Sequence, residues 1–381
     1  MRITGIELEQ LRFPLANRPE VVFGEDAAGV LPGLVRALGH DCAFVVSDAG
    51  LVAAGIAPRI VDAFKRDGLR VALYDGVGRN PSLDDVLAGS MELRGFGPSV
   101  VVAVGGGSPI DAAKAIALHA ANDVPAAELD ALAQGLQPAG PLIAVPTIAG
   151  TGAETNGFGV IDDPAAQRKR YLGHASTSPR YAVLDPTLAA TAPSHVTAAC
   201  GVEVLAHAVE SMQARAGNAC SVSIALEAAR VVFAHLPRVV ADGGDLEARA
   251  CMLAAAHLAG LAYATAGLGT AHALGHALAA RYDLAHGVAL AAVLELVAGR
   301  NRDERDPETA CLAVAVDAAD LPAAISELLE RVNLRPSLAD LLVPRGDLAL
   351  LAAGARADAV TANAPRIPAE GELLALLEAA Y

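Results

Sequence analysis

Short, nearly continuous apolar runs alternate with amphipathic stretches in the first half of the chain. Each run is rich in β-branched residues, as is typical of a parallel strand that is buried on both faces. The stretches between them, such as IDAAKAIALHAAN, have helical periodicity. This alternation predicts an α/β domain with a parallel sheet. The predicted strands cover residues 42–47, 71–75, 99–104 and 141–146, with a further candidate at 182–186.

The pattern changes after Pro193, where helical periodicity continues to Tyr381 and strand-like runs become scarce. The segment is rich in Ala and Leu, which are both strong helix formers. We therefore expect an all-α second domain. The predicted domains are residues 1–188 and residues 189–381.

Composition excludes several classes of protein. The 381 residues are 54% hydrophobic and 19% charged, which provides a large core and argues against disorder. The net charge of -15 argues against a surface for nucleic acid or anionic membranes. Five scattered cysteines without a CxxC pair indicate reduced thiols. The first residues do not resemble a signal peptide, and no apolar run is long enough to span a membrane. We expect a cytoplasmic protein that binds neither nucleic acid nor membranes.

One turn combines several features that suit a bound pyrophosphate. The predicted strand SVVVAV runs into three glycines, Gly105, Gly106 and Gly107. Glycines let backbone N–H groups approach a ligand, and a helix N-terminus adds the positive end of its dipole. Ser108 suits the N-cap of the following helix, and Pro109 suits its first position. Lys114, in the same helix, strengthens the prediction of a phosphate cradle, although a turn without a ligand would share the glycines.

A second glycine-rich loop, VPTIAGTGAET, follows the next predicted strand at residues 145–155. Ligands of open parallel sheets bind beyond the carboxyl ends of the strands, so we expect Thr147 and Thr151 to share a rim with the three glycines. Asp48 follows the first predicted strand. Its carboxylate either bonds an adenosine ribose, which favours NAD over NADP, or caps the next helix. The first half is thus predicted to be a dinucleotide-binding domain with a Rossmann-like sheet.

The second half contains two groups of chemically active side chains. Three histidines lie within fifteen residues: His272, His276 and His286. Upstream, Glu203 and His207 are four apart on a predicted helix, and Glu210 lies three residues further on. Imidazoles in such apolar surroundings need partners. Imidazole and carboxylate together suit Zn²⁺ or Fe²⁺, so the two groups predict a divalent metal site or a catalytic site.

These motifs together resemble the iron-dependent, or type III, alcohol dehydrogenase family over nearly the full length of the chain. The most specific motif is HALGHALAARYDLAHG at residues 272–287, with its three histidines at the family spacing. The other motifs are VVFG (21–24), NPS (80–82), GGGSPIDAAK (105–114), PTIAGTGAET (146–155), LDP (184–186), GVEVLAHAVE (201–210) and NAPRIP (363–368).

The resemblance implies hydride transfer between NAD, or less favourably NADP, and a small alcohol or aldehyde. It implies one divalent metal, Fe²⁺ or Zn²⁺, in the cleft between the domains, with His276 handling a proton and Lys169 helping to hold the cofactor ribose. It also implies a homodimer formed through residues 2–13. The implied metal ligands are Glu203, His207, His272 and His286. The implied cofactor contacts are Asp48, the turn Gly106–Ser108, Thr147 and Thr151.

The chain departs from the family pattern at three positions. Glu203 stands where Asp is usual and is longer by one C–C bond, about 1.5 Å. Because the charge is kept, we expect metal binding with altered affinity. Ile148 replaces a common Thr, and His174 replaces a usual Ser. The basic run at residues 168–170 has two interpretations: a solvated hairpin, which we favour, or a cleft-facing segment that selects an anionic substrate.

Three alternative functions stay open at this point. A metal-free reductase of the maleylacetate type would use Glu203 as an acid or as a structural group. A lyase resembling dehydroquinate synthase would share the architecture but would need more basic residues to bind phosphate. A catalytically inactive scaffold would bind nucleotide only, and the complete set of histidines argues against it.

Overall fold

The first half of the chain forms a sheet, as predicted. The computed structural model describes residues 19–131, 133–166, 168–302, 304 and 306–381. The proposed dimer contact at residues 2–13 lies outside these ranges. The strands are β1 (Glu20–Phe23), β2 (Cys42–Val46), β3 (Arg70–Tyr74), β4 (Val100–Gly105), β5 (Leu142–Pro146), β6 (Phe158–Asp163), β7 (Arg168–Gly173) and β8 (Tyr181–Leu184).

Six of these strands form one parallel sheet in the order β1-β8-β5-β4-β2-β3. The strands β2, β4 and β5 are buried along their whole length. This is why they appear in the sequence as continuous apolar runs rather than as alternating patterns. All five predicted strands, including the candidate at 182–186, are confirmed to within one or two residues.

Helices cover both faces of the sheet. Phe64, from the helix at residues 56–66, packs with Val45 and Val102 on one face. Ile116, from the helix at residues 107–121, packs with Phe44 on the other face. The helices of this half are α1 (Leu31–Ala37), α2 (Ala49–Ala53), α3 (Ile56–Arg66), α4 (Leu83–Phe96), α5 (Gly107–Ala121) and α6 (Pro186–Ala189).

Three strands lie outside the predicted set, although a hairpin was the favoured interpretation of the basic run 168–170. The short edge strand β1 pairs in parallel with β8, and its residues are mostly exposed. The strands β6 and β7 form a separate antiparallel hairpin in which Ile161 and Leu172 are fully buried. The hairpin contains the basic run 168–170, so that run belongs to a strand.

The second half of the described chain is helical, as predicted. Its core is formed largely by Ala, Val and Leu side chains, which all ten of its helices contribute. The predicted boundary between residues 188 and 189 falls inside α6 and stays a prediction. The helices are α7 (Ser194–Gln213), α8 (Ala219–Ala241), α9 (Leu246–Ala266), α10 (Thr270–Tyr282), α11 (His286–Ala291), α12 (Leu294–Asn301), α13 (Asp306–Ala315), α14 (Leu321–Arg331), α15 (Leu348–Ala357) and α16 (Glu370–Ala379).

Helix α8 is long and apolar enough to cross a membrane, judged by length and composition alone. Among the described helices, α9 and α10 meet the same criteria only if the sharply bent pair is counted as one span. The core helix of a globular protein passes this test as well. Ala225, Ala229 and Val232 of α8 are fully buried in the helical core, which accounts for the apolar composition of one side of the helix.

Candidate active site

The loops after β2 and β4 lie on either side of the point where the order of the sheet reverses. The order β3-β2-β4-β5-β8 is that of a flavodoxin-like sheet, in which ligands bind beyond the strand ends at this point. Asp48 follows β2, and the three glycines follow β4. Asp48 Oδ1 accepts a hydrogen bond of 2.9 Å from the N–H of Leu51. The carboxylate therefore caps α2, and its contact with a ribose stays a prediction.

The three glycines stand where side chains would collide. Gly105 has a φ of +156°, and a Cβ there would lie 2.4 Å from Pro109 Cγ. A Cβ at Gly107 would lie 2.5 Å from Thr151 Cγ2, and one at Gly106 would lie 3.1 Å from Ile148 Cγ2. The first two distances are shorter than real contacts allow. Glycine at position 107 therefore lets the backbone pass this close to the second loop, and glycine at position 105 leaves room for Pro109.

Helix α5 begins at Gly107, so Gly106 rather than Ser108 occupies its N-cap position. The prediction that Ser108 caps the helix is wrong, because its hydroxyl donates a hydrogen bond of 2.6 Å to the carbonyl of Arg79. Gly106 has no side chain with which to cap this helix, and no side-chain cap is present among the described residues. Its first N–H groups and its dipole are therefore available to an anion, as a phosphate cradle requires.

The second glycine-rich loop lies against this cradle. The N–H of Thr147 donates a hydrogen bond of 3.0 Å to the carbonyl of Gly105. Thr151 Oγ1 accepts one of 3.2 Å from the N–H of Ala153. Since β4 and β5 are paired with Gly105 opposite Pro146, both loops leave the sheet at the same level. Thr147 and Thr151 thus share the rim with the glycines.

Lys114 does not face the cradle, contrary to the sequence interpretation. Its ammonium group is fully buried and donates hydrogen bonds to the carbonyls of Ala153 and Phe158, both at 2.6 Å. It donates a third bond, of 2.9 Å, to Asn156 Oδ1, and Asp111 Oδ1 lies 3.6 Å away. Lys114 therefore links the end of the second loop to α5 and stabilises the loop that carries Thr147 and Thr151.

Four histidines are brought together by three helices. His207 comes from α7, His272 and His276 come from α10, and His286 is the first residue of α11. The ring centroids of His207 and His272 lie 4.7 Å apart, and those of His272 and His286 lie 5.3 Å apart. His276 lies 5.2 Å from His286. We call these four residues the histidine cluster.

Two carboxylates hold rings of the histidine cluster in place. His272 Nδ1 lies 2.5 Å from Glu210 Oε2, and both side chains are almost completely buried. His276 Nδ1 lies 2.8 Å from Asp358 Oδ2, in a more open position where each side chain is 18% exposed. In the sequence, Glu210 lies three residues after His207, and no role was assigned to it. Asp358 carried no signal, because it lies far along the chain from His276.

Burial and neighbouring imidazoles set the charge of two rings of the cluster. Burial, and then the neighbouring imidazoles, hold the pKa of both His207 and His286 well below the usual value. Both rings are therefore neutral near pH 7, as metal coordination requires. Burial, and then Asp111, raise the pKa of Glu203 to about 8. A nearby cation would favour the ionised form of Glu203.

The types of side chain in the cluster suit a divalent cation, but their present orientations do not bring the ligand atoms together around one point. Among the described residues, no three His, Cys, Asp or Glu side chains are arranged so that they could hold a metal ion as they stand. Two buried nitrogens, His207 Nδ1 and His272 Nε2, nevertheless have no hydrogen-bond partner in the described part of the chain. Unpartnered buried polar atoms cost free energy, and a metal ion would satisfy such lone pairs. Side-chain rotation would be needed to bring the donors to one point.

Glu203 lies at the edge of the cluster that is nearer to the second loop. Its Oε2 lies 3.5 Å from the position that a Cβ at Gly150 would occupy. The side chain is 7% exposed. The carboxylate therefore lies against the loop, about one helical turn before His207 on α7.

One chain of contacts joins the cradle to the histidine cluster. The methyl group of Thr151 faces Gly107, and the carbonyl of Thr151 accepts a hydrogen bond of 2.9 Å from the hydroxyl of Tyr263. The ring of Tyr263 lies 4.6 Å from that of His207. The predicted cofactor site and the predicted metal site are therefore neighbours.

Lys169 lies on β7, where its ammonium group is 2.8 Å from Asp162 Oδ1 on the paired strand. Its charge is the smallest of the causes that lower the pKa of His286, after burial and the three neighbouring imidazoles. Arg170 pairs with Asp163 at 2.6 Å. Two of the three basic side chains are thus partnered within the hairpin, and selection of an anionic substrate stays a prediction.

Comparison with known proteins assigns the family. The model of the family described as "Iron-containing alcohol dehydrogenase" matches residues 18–186. The model described as "Fe-containing alcohol dehydrogenase family, C-terminal" matches residues 197–381. The chain belongs to the iron-containing alcohol dehydrogenase family. It is an oxidoreductase, and this membership argues against the lyase and against the inactive scaffold.

Similar proteins cover almost the whole chain. It is 36% identical over 343 residues to the Escherichia coli K12 protein named "Probable alcohol dehydrogenase EutG", covering 88% of this chain and 87% of that protein. It is 31% identical to the "NAD-dependent methanol dehydrogenase" of Bacillus methanolicus, with 92% and 94% covered. The crystal structure of a 1,3-propanediol oxidoreductase superposes with a TM-score of 0.93 at 30% identity, covering 97% of this chain and all of that one.

Proposed function

We propose that this dehydrogenase transfers a hydride between NAD and a small alcohol or aldehyde, with one divalent metal ion, Fe²⁺ or Zn²⁺, in the histidine cluster. The observation that carries the proposal is the contact chain from Gly107 through Thr151 and Tyr263 to His207. Through these contacts, the uncapped N-terminus of α5 lies close to the imidazole nitrogens that have no hydrogen-bond partner among the described residues. A site for an anionic cofactor beside a site for a cation suits this reaction.

The roles of the residues follow from their positions. The backbone of Gly105, Gly106, Gly107 and Ser108 would hold the pyrophosphate at the start of α5. Asp48, Thr147, Thr151 and Lys169 would contact the rest of the cofactor. NAD is favoured over NADP because Asp48 would repel a 2′-phosphate. The proposed metal ligands are Glu203, His207, His272 and His286.

The cofactor and the metal divide the chemistry between them. When bound, NAD gives or takes the hydride, and a divalent cation supplies Lewis-acid polarisation of the substrate oxygen. The protein excludes water, since both side chains of the His207–His272 pair are buried. His276 is more open, and its Nδ1 is held by Asp358. We assign His276 the transfer of a proton at Nε2.

The same proposal includes a cytoplasmic, homodimeric protein. All five cysteines are free thiols, which suits a reducing compartment. The substrate class is taken from the alcohols and aldehydes in the names of the relatives.

The test combines activity with metal analysis. Protein loaded anaerobically with Fe²⁺, or with Zn²⁺, is assayed for NADH oxidation with acetaldehyde and lactaldehyde, and for NAD⁺ reduction with methanol and 1,3-propanediol. We expect turnover with at least one of them, about one metal ion per chain, and loss of activity after chelation. Metal-loaded protein that neither oxidises NADH nor reduces NAD⁺ would contradict the proposal.

A metal-free reductase is the second candidate, because no group of described side chains is arranged to hold a metal as it stands. In that case Glu203, with its raised pKa, would serve as an acid. Full turnover by protein that contains no metal, unchanged by chelator, would favour this alternative over the first.

A further inference from the structure

The carboxylate of Glu210 makes contacts that exceed those of a simple ion pair. It is 2% exposed, and its Oε1 accepts a hydrogen bond of 2.6 Å from the N–H of Ala271. Its Oε2 accepts from the N–H groups of Gly269 and His272, each at 3.2 Å, and contacts His272 Nδ1 at 2.5 Å. One buried side chain thus contacts both the N-terminal backbone of α10 and one ring of the histidine cluster.

These contacts lie at the N-terminus of α10. No side chain in the N-cap position of α10 caps it, since that residue is Gly269. A helix N-terminus attracts negative charge and leaves N–H groups unpaired. Glu210, from α7, supplies both the acceptor atoms and the charge. The place of α10 against α7 therefore depends on this carboxylate.

The same carboxylate determines which nitrogen of His272 is free. Both oxygens of Glu210 accept hydrogen bonds from backbone N–H groups, so the side chain acts as an acceptor and the ring nitrogen that faces it, His272 Nδ1, carries a proton. Nε2 is then the ring nitrogen left for a ligand, and this buried atom has no hydrogen-bond partner among the described residues. In metal sites, a carboxylate behind a histidine commonly fixes its orientation and its tautomer in this way.

We propose that Glu210 is a positioning residue that holds His272 with Nε2 ready to bind the metal ion. The inference rests on the proposed function, because it needs a metal ion in the histidine cluster. It assigns to Glu210 a role in metal affinity that is separable from its role in starting α10.

A second buried pair provides a matched control. His257 Nδ1 lies 3.0 Å from Glu154 Oε1, and both side chains are buried. Glu154 comes from the second loop and His257 from α9, and neither is a proposed metal ligand. Loss of the Glu154 carboxylate should affect stability in the same manner, without any direct effect on the metal.

The experiment compares Glu210→Gln, Glu210→Asp and Glu154→Gln with the wild type. Affinity for Zn²⁺ and Fe²⁺ is measured on the full-length apoprotein by competition with a chromophoric chelator. NADH binding, followed by nicotinamide fluorescence, and thermal unfolding report on the fold. Gln at position 210 keeps the shape, but one of its two acceptor atoms becomes a donor that faces backbone N–H groups.

We expect Glu210→Gln to weaken metal binding by about 10- to 100-fold while NADH affinity stays within about twofold of the wild type. Glu210→Asp should weaken it as well, because the shorter side chain cannot reach both α10 and His272. Glu154→Gln should lower the melting temperature and leave metal affinity unchanged.

The outcomes separate the two proposals. Wild-type metal affinity in a Glu210→Gln protein that still binds NADH overturns the role of Glu210 and leaves the proposed function standing. Equal losses of metal affinity in Glu210→Gln and Glu154→Gln overturn it too, because the effect would then be one of general stability. If the wild type itself binds no metal, both this inference and the metal-dependent function fail.

Discussion

The cradle and the histidine cluster lie side by side but are built from different parts of the chain. The cradle consists of backbone atoms from Gly105–Ser108, four consecutive residues, packed against one nearby loop. The cluster consists of side chains from α7, α10 and α11, held from behind by Glu210 and Asp358. A site of backbone atoms needs small residues and a helix start, whereas a site of side chains needs correct packing of distant segments. The two should therefore respond differently to substitution.

The largest effect is expected from His272→Ala, which removes a ligand from the cluster and leaves the cradle intact. We expect loss of bound metal and of dehydrogenase activity together, with NADH binding retained. Metal analysis, turnover and nicotinamide fluorescence measure the three properties. His257→Ala, at a buried histidine outside the cluster, should retain its metal. Full activity of the His272→Ala protein after chelation would refute the metal site.

Lys114→Met tests the support of the cradle. The substitution leaves the carbonyls of Ala153 and Phe158 and the Asp111 carboxylate without their buried cation. Removing one partner of such a buried pair costs about 3–5 kcal/mol, to be measured as the free energy of unfolding in urea. Lys65 is a matched control, since its side chain is 63% exposed and lies 4.0 Å from Asp62. Lys65→Met should have almost no effect, and equal losses in the two variants would contradict the role of Lys114.

Lys114 also shows where prediction from sequence reached its limit. A lysine just inside the helix of a glycine-rich turn suggested a ligand contact. Its acceptors lie on residues 153–158, about forty positions later, and nothing in the local pattern indicates that this segment folds back over α5. The buried strands β2, β4 and β5 were predictable because burial on both faces leaves a local apolar run. The edge strand β1 exists through its pairing with β8 and has no such run.

The same distinction applies within the candidate site. The spacing of His272, His276 and His286 indicated a common site because all three lie close together in sequence. The partner of His276 is Asp358, which reaches it from a 3-10 turn after α15. Only the packing of α10 against the C-terminal segments brings the two together. Local sequence thus indicated which residues could form the candidate site, while their supports depend on tertiary contacts.

A smaller effect is expected at the cradle itself. In Gly107→Ala, the new Cβ would lie 2.5 Å from Thr151 Cγ2, so the loop must move. Overpacking of this kind costs about 1–3 kcal/mol, and we expect the dissociation constant of NADH to rise by about tenfold or more. The chain has no Trp, so nicotinamide fluorescence is free of tryptophan background.

Thr151→Ser removes the colliding methyl group and keeps the hydroxyl. The double variant Gly107→Ala/Thr151→Ser should therefore recover part of the lost affinity, whereas Thr151→Ser alone should bind NADH nearly as the wild type does. A double variant that binds no better than Gly107→Ala would show that the collision with Thr151 is not the cause.

The smallest effect is expected from Asp358→Asn, because this support of the cluster is partly open to water. Asp358 Oδ1 accepts a hydrogen bond of 3.0 Å from the N–H of Val360, and an Asn oxygen can keep it. The amide nitrogen would then face His276 Nδ1 and favour the tautomer with the proton on Nε2. Water can replace part of the lost contact, so we expect kcat to fall by about fivefold, or roughly 1 kcal/mol. Metal content and NADH affinity should not change, because His276 binds neither in the proposed site. A fall in metal content equal to that of Glu210→Gln would mean that His276 belongs among the ligands, and the division between coordination and proton transfer would have to be redrawn.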